Sequence, residues 1–253
     1  MKITILGSGT SQGVPVIGCR CNVCSSLDFR DKRLRSSVHI TCEGKSLIID
    51  SGPDFRQQVL RERIENLDAL LFTHEHKDHT AGMDDIRSFN FLQGKDMPIY
   101  ADPRVISQLK REYAYVFAEK KYPGVPKVEV HKLNGDVFSV KNITITPIEV
   151  MHYKLPVYGF RIGDFTYITD AKTISPASIE KIKGSKVIVL NALQQTDHLS
   201  HFTLEEAIEM ANLLGAKTTY FTHLSHKMGK HEEIEKILPA NIYLAYDGLQ
   251  IKC

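Results

Sequence analysis

The chain has 253 residues, with 32 lysines and arginines against 30 aspartates and glutamates, and 42% of its residues are hydrophobic. This composition is that of a folded globular protein and excludes disordered and collagen-like classes. The formal net charge of +2 gives no basic field that would favour duplex nucleic acid. The sequence shows no signal-peptide core and no apolar run of about 18 residues that would span a bilayer, so a cytoplasmic location is expected.

Short runs rich in β-branched residues predict strands, and apolar residues at helical spacing between them predict helices. In chain order, the expected strands are 2–6, 38–42, 46–50, 69–73, 99–101, 143–150, 158–162, 165–170, 187–193, 218–222 and 242–246. The expected helices are 54–63, 103–117, 176–183, 203–214 and 231–238. Strands follow one another more often in the first half and alternate with helices more regularly in the second. No linker or repeat divides the chain, so we expect an α/β (α+β) fold with a single domain over residues 1–253.

The first predicted strand is followed by a glycine-rich segment, Gly7–Gly13. Its glycine spacing fits neither the dinucleotide-binding pattern nor the P-loop pattern. We therefore expect a tight turn here, with Ser8 or Thr10 as candidate substrate contacts.

Three of the five cysteines, Cys19, Cys21 and Cys24, lie within six residues of one another. The odd total and the size of the chain argue against a disulfide framework. Thiols at this spacing in a reducing compartment are typical of a metal site, with three free thiols in a loop as the alternative.

The strand predicted over 69–73 leads directly into four ionisable side chains, His74, His76, Asp78 and His79. Because residues two apart in an extended segment face the same way, His74 and His76 can converge on one ion. Asp78 and His79, at the start of the next helix, can turn onto a second. Mixed nitrogen and oxygen ligands suit Zn²⁺, Mn²⁺ or Fe²⁺ without distinguishing among them. The alternative is a polar loop that happens to be rich in histidine.

Three further candidate ligands, His152, Asp170 and His223, lie at the ends of later predicted strands. Each of them alone would be a structural residue more often than a ligand. Their common position after an apolar strand predicts that they complete the same metal centre.

The whole series, His74-x-His76-x-Asp78-His79 followed by His152, Asp170 and His223, resembles the ligand series of the metallo-β-lactamase superfamily. The resemblance covers the whole chain and implies a four-layered αβ/βα sandwich, in which two β-sheets pack face to face with helices outside. It implies two divalent ions at one edge, one held by His74, His76 and His152, the other by Asp78, His79 and His223, with Asp170 bridging both. Asp50 also matches a family motif, and we expect it to orient a ligating histidine.

Two features point to one branch of this superfamily. Asp170 stands where the antibiotic-degrading members have a cysteine, which argues against a true β-lactamase. The segment 18–24 resembles the zinc knuckle of the PhnP-like phosphodiesterases, and His226 matches its fourth ligand. The resemblance therefore implies a structural Zn²⁺ in a zinc-knuckle loop over residues 18–25, held by Cys19, Cys21, Cys24 and His226.

His201 resembles the histidine that PhnP-like and RNase Z enzymes place over the metal centre without binding metal. Asp78 and His201 are therefore the expected catalytic residues, and a protonated His201 would stabilise charge on phosphorus or protonate the leaving oxygen. Two ions would lower the pKa of a bridging water to about 7 and so supply hydroxide. The expected function is a metal-dependent phosphodiesterase acting on a phosphoribosyl 1,2-cyclic phosphate or a 2′,3′-cyclic nucleotide.

Other activities of the superfamily stay open. An RNase Z-like tRNA 3′-processing endonuclease would share the ligands and His201, but the sequence has no Lys-rich insertion to grip tRNA. A thioester or lactone hydrolase would leave His201 and the cysteines unexplained, and an inert redox sensor would not need the complete ligand series. We expect Mn²⁺ or Zn²⁺ at the active site, a small phosphate-ester substrate, no membrane or nucleic-acid partner, and a homodimer as the assembly to test.

Overall fold

The computed structural model describes all 253 residues, and fifteen strands form the middle of the molecule. The strands are β1 (Lys2–Gly7), β2 (Ser37–Cys42), β3 (Lys45–Ile49), β4 (Ala69–Leu71), β5 (Met97–Ala101), β6 (Val128–Lys132), β7 (Phe138–Val140), β8 (Ile143–His152), β9 (Leu155–Ile162), β10 (Phe165–Ile168), β11 (Thr173–Ile174), β12 (Val187–Asn191), β13 (Thr218–Thr222), β14 (Ile242–Leu244) and β15 (Gln250–Lys252). They make two mixed sheets, with the orders β15-β1-β2-β3-β4-β5-β6 and β11-β8-β9-β10-β12-β13-β14, and β7 pairs with β8.

Each sheet has an antiparallel part and a parallel part, and helices connect the parallel strands. In the first sheet β1, β2 and β3 run antiparallel, whereas β3 to β6 run parallel. In the second sheet β8, β9 and β10 run antiparallel, whereas β10, β12, β13 and β14 run parallel. The two halves of the chain therefore have the same organisation, and the difference between them expected from the sequence is not observed.

Eight helices cover the outer faces of the sheets. They are α1 (Phe55–Arg61), α2 (Lys77–Thr80), α3 (Arg87–Gln93), α4 (Pro103–Glu112), α5 (Ala114–Phe117), α6 (Pro176–Ile182), α7 (Leu204–Leu214) and α8 (His231–Glu235). Helix α7 begins with a complete capping box, in which the Thr203 hydroxyl accepts from the Glu206 amide and the Glu206 carboxylate accepts from the Thr203 amide. None of the helices has the length and apolar character needed to cross a membrane.

Three apolar clusters separate these layers. The central one lies between the sheets and brings Ile3, Ile40 and Ile49 of the first against Phe160 and Val189 of the second. A second cluster packs α1, α3, α4 and α5 on the first sheet, and a third packs α6, α7 and α8 on the second sheet. Both faces of the central strands are buried, and apolar residues therefore dominate both faces. This confirms the four-layered sandwich of the metallo-β-lactamase fold.

All eleven predicted strands are present, and β6, β7, β11 and β15 are additional. Three of the additional strands have two or three residues, too few for a periodic pattern, and β6 carries polar residues on its exposed edge. Helix α3 was missed because its outer side carries exposed Phe91 and Leu92, which obscure the amphipathic pattern. The helix predicted over 103–117 divides at Tyr113, whose ψ of 43° leaves the helical region.

Candidate metal centre

The candidate ligands meet at one edge of the sandwich, just beyond the carboxyl ends of the central strands. Asp50 follows β3, His74 lies three residues after β4, His152 ends β8, Asp170 comes two residues after β10 and His223 follows β13. Parallel strands end at the same edge of a sheet, and the two sheets present these edges to each other. Residues far apart in the chain are thereby brought into one cluster.

Three of these positions have a backbone conformation that few residues adopt. Asp50, Asp170 and His223 have φ angles of +64°, +58° and +59°. Aspartate and histidine tolerate this left-handed region better than most side chains, but it is still disfavoured relative to extended backbone. Such conformations persist where surrounding structure enforces them, and they concentrate at functional sites. Here each one turns the chain at the end of a buried strand.

The segment after Asp50 holds the short helix α2 in place. The Ser51 amide donates to the His79 carbonyl at 2.9 Å, and the Gly82 amide donates to the Ser51 carbonyl at 2.8 Å. A Cβ atom on Gly52 would lie 2.0 Å from the Asp78 carbonyl oxygen, so only glycine permits this approach. The position of the histidine motif is therefore fixed by backbone contacts as well as by its side chains.

His74 and His76 point ring nitrogens at each other. The Nε2 atom of His74 lies 3.1 Å from Nδ1 of His76. The Thr73 hydroxyl donates to Asp50 at 2.8 Å and can therefore accept from the Nδ1–H of His74, which lies 2.9 Å away. This hydrogen bond leaves the His74 Nε2 lone pair free toward His76, as metal ligation requires.

His79 lies between carboxylates. Its Nδ1–H donates to Asp50 Oδ2 at 2.7 Å, while Nε2 lies 3.2 Å from Asp78 Oδ2 and 3.3 Å from Asp170 Oδ2. The Nε2 atom is buried without a hydrogen-bond partner. A neutral imidazole would point a lone pair at two carboxylates, so this arrangement requires a positive charge.

His223 is oriented by three hydroxyl groups. The Ser36 hydroxyl donates to the Gly9 carbonyl at 2.9 Å, so it accepts from Nδ1–H of His223 at 3.1 Å. The Thr169 hydroxyl lies 3.4 Å from the same nitrogen, and that of Thr10 lies 3.2 Å from Nε2. Nε2 is therefore unprotonated and lies 3.4 Å from Asp170 Oδ1.

His201 stands over this cluster. Its ring stacks on that of His223 with centroids 4.9 Å apart, and its centroid lies 4.5 Å from that of His152. His152 donates from Nδ1 to the Ser200 carbonyl at 2.9 Å. The His201 Nδ1 atom has no hydrogen-bond partner and lies 3.8 Å from Asp170 Oδ1. Burial lowers the pKa of His201 to about 3.

The donor atoms fit divalent cations. In a tetrahedral site with metal–ligand distances of about 2.0–2.1 Å, neighbouring ligand atoms lie about 3.3 Å apart. The observed separations of 3.1 Å between His74 and His76, 3.2 Å between His79 and Asp78, and 3.4 Å between His223 and Asp170 agree with this value. The structure groups Asp78, His79 and His223, then His74, His79 and Asp170, and finally His152, Asp170 and His201, within 4.8 Å in each group.

Charge gives a second reason for cations here. Burial favours the uncharged form of the carboxyl groups, but the neighbouring histidines hold the pKa values of Asp78 and Asp170 well below the usual range. Burial lowers the pKa values of His74 and His223, so these rings are neutral. His79 differs from them: burial lowers its pKa, but Asp78, Asp170 and Asp50 raise it well above its usual value overall. The centre therefore needs positive charge beside its buried carboxylates, and divalent ions at these donor atoms would supply it.

Replacing Asp50 with Asn is expected to lower kcat/KM by about 10 to 100 fold, because supporting residues of metal ligands have effects of this size. Asp50 accepts hydrogen bonds from the Thr73 amide and hydroxyl and from His79. In the Asn variant, the side-chain NH₂ group would face at least one of these donors. Asparagine tolerates the positive φ, so the fold should persist. The control is Asp68→Asn, which alters a carboxylate bonded to the Ser46 amide at the start of β4. Equal activity of the two variants would contradict the orienting role.

The cysteine cluster forms a separate site. The Nδ1 atom of His226 lies 3.3 Å from Cys19 Sγ, 3.4 Å from Cys21 Sγ and 3.6 Å from Cys24 Sγ. With zinc–sulfur and zinc–nitrogen distances of about 2.3 and 2.0–2.1 Å, a tetrahedral ion would set these separations at about 3.6 Å. The Cys24 amide points at Cys21 Sγ and, with His226, lowers the pKa of the Cys21 thiol to about 6. Burial raises that of Cys24 to about 11. The donor set fits a Zn²⁺ ion that would hold the loop to the segment after His223.

The roles of several residues of the site were not predicted from the sequence, or were predicted differently. Ser8, a candidate substrate contact, is buried and donates through its hydroxyl to Asp247 at 2.8 Å, so it supports the loop instead. Thr10 contacts His223, as described above. His198, for which the sequence indicates no role, has its ring centroid 5.1 Å from that of His201. Hydroxyl residues that support ligands are too common in sequences to be found without the fold.

A four-layered sandwich with histidines and aspartates clustered at one edge defines a metal-dependent hydrolase. A family model described as a β-lactamase superfamily domain matches residues 45–224. The chain therefore belongs to the β-lactamase superfamily.

Similar proteins and solved structures narrow the assignment within this superfamily. A crystal structure of a diphosphatase from the PhnP family superposes with a TM-score of 0.93 and 42% identity, covering 100% of this chain and 97% of that one. A protein of Porphyromonas gingivalis named octanoyltransferase is 41% identical over 253 residues, 99% of this chain and 51% of its own length. The chain thus spans about half the length of the curated relatives it matches first. Human tRNase Z, short form, shares the fold, with a TM-score of 0.72 and 18% identity over 100% of this chain and 99% of that one. Within its superfamily the protein is PhnP-like.

Proposed function

We propose that this protein is a dinuclear-metal-dependent phosphodiesterase that hydrolyses a small cyclic phosphate ester. The observation that carries the proposal is the set of buried donor atoms around Asp170. Its carboxylate lies within 4.8 Å of donor atoms of His74 and His152, from one expected ligand set, and its oxygens lie 3.3 and 3.4 Å from Nε2 of His79 and His223, from the other. A carboxylate with this placement suits a bridge between two ions. His74, His76 and His152 would complete one site, and Asp78 with His79 and His223 the other.

Divalent ions held by these residues would lower the pKa of a bound water and neutralise charge on phosphate oxygens. The side chains of the protein have the task of keeping the ligands in place. Asp50 fixes His79, the Ser36 hydroxyl fixes His223, and the Ser200 carbonyl fixes His152. Each of these contacts engages Nδ1 and leaves Nε2 as the ligating atom.

His201 is the residue that we expect to contact the substrate. It is not needed for either expected ligand set, and its Nδ1 is buried, unpartnered and directed into the cluster. A neutral imidazole can donate a hydrogen bond through its one N–H to a phosphate oxygen or to the leaving oxygen of the ester. An anionic substrate beside the ring would favour its protonated form and so assist departure of the leaving group.

The test is phosphorus NMR of 5-phosphoribosyl 1,2-cyclic phosphate incubated with Mn²⁺-loaded protein. We expect ring opening to a single monophosphate ester, with no reaction in the His76→Ala variant. Parallel samples contain a 2′,3′-cyclic nucleotide and a nucleoside diphosphate, since the PhnP-family neighbour is called a diphosphatase. Cleavage of the diphosphate alone would retain phosphoryl chemistry and overturn the cyclic-ester assignment.

A precursor tRNA and a thioester form the remaining arms of this test. The similarity to human tRNase Z at 18% identity is one of fold, and the net charge of +2 is low for a protein that binds polyanionic RNA. Cleavage of the tRNA 3′ trailer with inert cyclic esters would favour the RNase Z-like alternative. Thioester cleavage alone would favour the acyl-hydrolase alternative.

A further inference from the structure

One hydroxyl group at the metal centre belongs to neither expected ligand set. The Oγ1 atom of Thr10 lies 3.2 Å from Nε2 of His223, the nitrogen that would bind an ion. Thr10 is buried, with an exposed fraction of 8%. This nitrogen is the one hydrogen-bond partner of the hydroxyl. What the hydroxyl does therefore depends on the state of His223.

The hydrogen bond between them lasts only while the histidine nitrogen keeps its lone pair. Nδ1–H of His223 donates to the Ser36 hydroxyl at 3.1 Å, so Nε2 is an acceptor and the Thr10 hydroxyl is the donor. An ion held by Asp78, His79 and His223 would take this lone pair. The Thr10 hydroxyl would then be a buried donor without an acceptor, which costs free energy unless another acceptor replaces the nitrogen.

The position of the hydroxyl limits what that acceptor can be. Atoms that bind one ion in a tetrahedral site lie about 3.3 Å apart. The Thr10 oxygen lies at nearly this separation from Nε2 of His223, and so at the edge of the expected coordination sphere. A threonine hydroxyl is not a usual ligand of Zn²⁺ or Mn²⁺, which prefer imidazole, thiolate, carboxylate and water. A hydrogen bond to a substrate oxygen beside the ion would satisfy the hydroxyl instead.

The main chain ties Thr10 to the segment that carries His223. The Thr10 amide donates to the Leu224 carbonyl at 3.1 Å, and the Leu224 amide donates to the Ser8 carbonyl at 2.9 Å. The Gly13 amide donates to the Thr10 carbonyl at 2.8 Å and closes the turn. Because Leu224 directly follows His223, the hydroxyl and the imidazole belong to one hydrogen-bonded unit. Their relative position is therefore set before a substrate binds.

A buried arginine supports the same turn from its other side. Arg33 is 4% exposed and donates to the Ser8 hydroxyl at 3.0 Å and to the Ala245 carbonyl at 2.7 Å. The Ser8 hydroxyl in turn donates to Asp247 at 2.8 Å. These contacts hold the residue two positions before Thr10 against a part of the chain beyond β14. The Thr10 hydroxyl is thereby preorganised, as a donor that stabilises charge on a reacting phosphate must be.

We propose that Thr10 is a further catalytic residue, whose hydroxyl donates a hydrogen bond to a phosphate oxygen of the substrate when the metal centre is loaded. The assignment rests on the proposed function. Thr10 and His201 would contact the substrate from two sides of His223, the hydroxyl from beside Nε2 and the imidazole from the face of the ring. The hydroxyl keeps its proton, so it stabilises negative charge on the phosphate and takes no part in proton transfer.

The test replaces Thr10 with Val, which has nearly the same shape and no hydroxyl. A hydrogen bond to a charged group contributes a factor of roughly 10 to 100 in affinity. In calorimetry of the Mn²⁺-loaded proteins, we expect Thr10→Val to bind inorganic phosphate at least about 10-fold more weakly than the wild-type protein. Its kcat/KM for the cyclic ester should fall by at least the same factor. Metal content per chain should stay unchanged, and Thr10→Ser should restore most of the binding and the activity.

Thr169→Val provides a contrast, because Thr169 approaches the other ring nitrogen of His223. Its hydroxyl lies 3.4 Å from Nδ1 and donates to Asp170 at 2.6 Å. It therefore supports two candidate ligands, and its loss should lower the metal content measured by atomic emission. The same loss of metal in Thr10→Val would make Thr10 a support for His223 and would overturn the assignment.

Thr166→Val is the matched control for removing a buried threonine hydroxyl. Thr166 lies near the start of β10, where its hydroxyl bonds to that of Ser185 at 2.7 Å, and the other end of this strand leads to Asp170. The variant should bind phosphate and metal as the wild-type protein does. A Thr10→Val protein that binds phosphate as tightly as this control would also overturn the assignment.

Phosphate binding separates the role of Thr10 from the proposed reaction. The wild-type protein could bind phosphate, lose that binding in Thr10→Val and hydrolyse no cyclic ester. This result would retain the contact between Thr10 and phosphate and remove the cyclic-ester function. A wild-type protein that binds no phosphate would reject the Thr10 assignment, whatever ester it hydrolyses.

Discussion

Substituting Asp170 with Asn is expected to reduce hydrolysis by about 10³-fold or more, because loss of the proposed bridging carboxylate would remove several kcal/mol of metal-centred stabilisation. Asparagine has nearly the same shape and tolerates the φ of +58° at this position. The amide carries no charge, and it would place N–H groups where carboxylate oxygens now face His79 and His223 at 3.3 and 3.4 Å. Metal content per chain, measured by atomic emission, should fall with activity.

The matched control is Asp164→Asn, in the turn that leads into β10. Asp164 is 45% exposed and pairs on the surface with Lys186, so its loss should change neither activity nor metal content. Circular dichroism of both variants should match the wild-type spectrum. An Asp170→Asn protein with normal turnover and a full complement of metal would show that the carboxylate does not bridge, and would remove the main support for a dinuclear centre.

The strand framework was predictable because it depends on local pattern. Each of the eleven predicted strands is a short run of mostly apolar or β-branched residues, and the central ones are buried on both faces between two apolar clusters. The ends of these runs are also visible in the sequence, which is why His74 and Asp170 could be placed at strand ends. Short edge strands such as β11 and β15 depend on pairing partners distant in the chain, and the local sequence contains no record of that pairing.

The partners of the candidate ligands were less predictable. Ser36 and Thr10 contact His223 from positions 187 and 213 residues away in the chain. Serine and threonine occur in most loops, so their role becomes visible only when the two sheets are packed together. Asp50 was identified because a family motif contains it. Hydrophobic periodicity alone predicts only that Asp50 ends a strand and indicates no role for its side chain.

Loss of Cys21 and loss of His76 are expected to act on different properties of the protein. Cys21→Ser should remove one zinc per chain and lower the melting temperature by at least about 5 °C, since each kcal/mol shifts it by about 2–4 °C for a chain of this size. The reason is that Cys21 would share a zinc with His226, which anchors the loop to the segment beyond β13. His76 is an exposed candidate metal ligand, so His76→Ala should abolish turnover with little change in melting temperature.

Cys42→Ser is the control for the thiol substitution, because Cys42 is half-buried at the end of β2, outside the cysteine cluster. It should keep both the zinc content and the activity. The loop that contains Cys21 leads back to Arg33, which is buried and donates to the Ala245 carbonyl at 2.7 Å. A less stable loop would therefore also disturb the neighbouring segment Ser8–Thr10, in which Thr10 contacts His223. We expect the activity of Cys21→Ser to fall, and the loss of activity to follow the loss of stability. Equal loss of stability in Cys21→Ser and His76→Ala would contradict the division into a structural and a catalytic metal site.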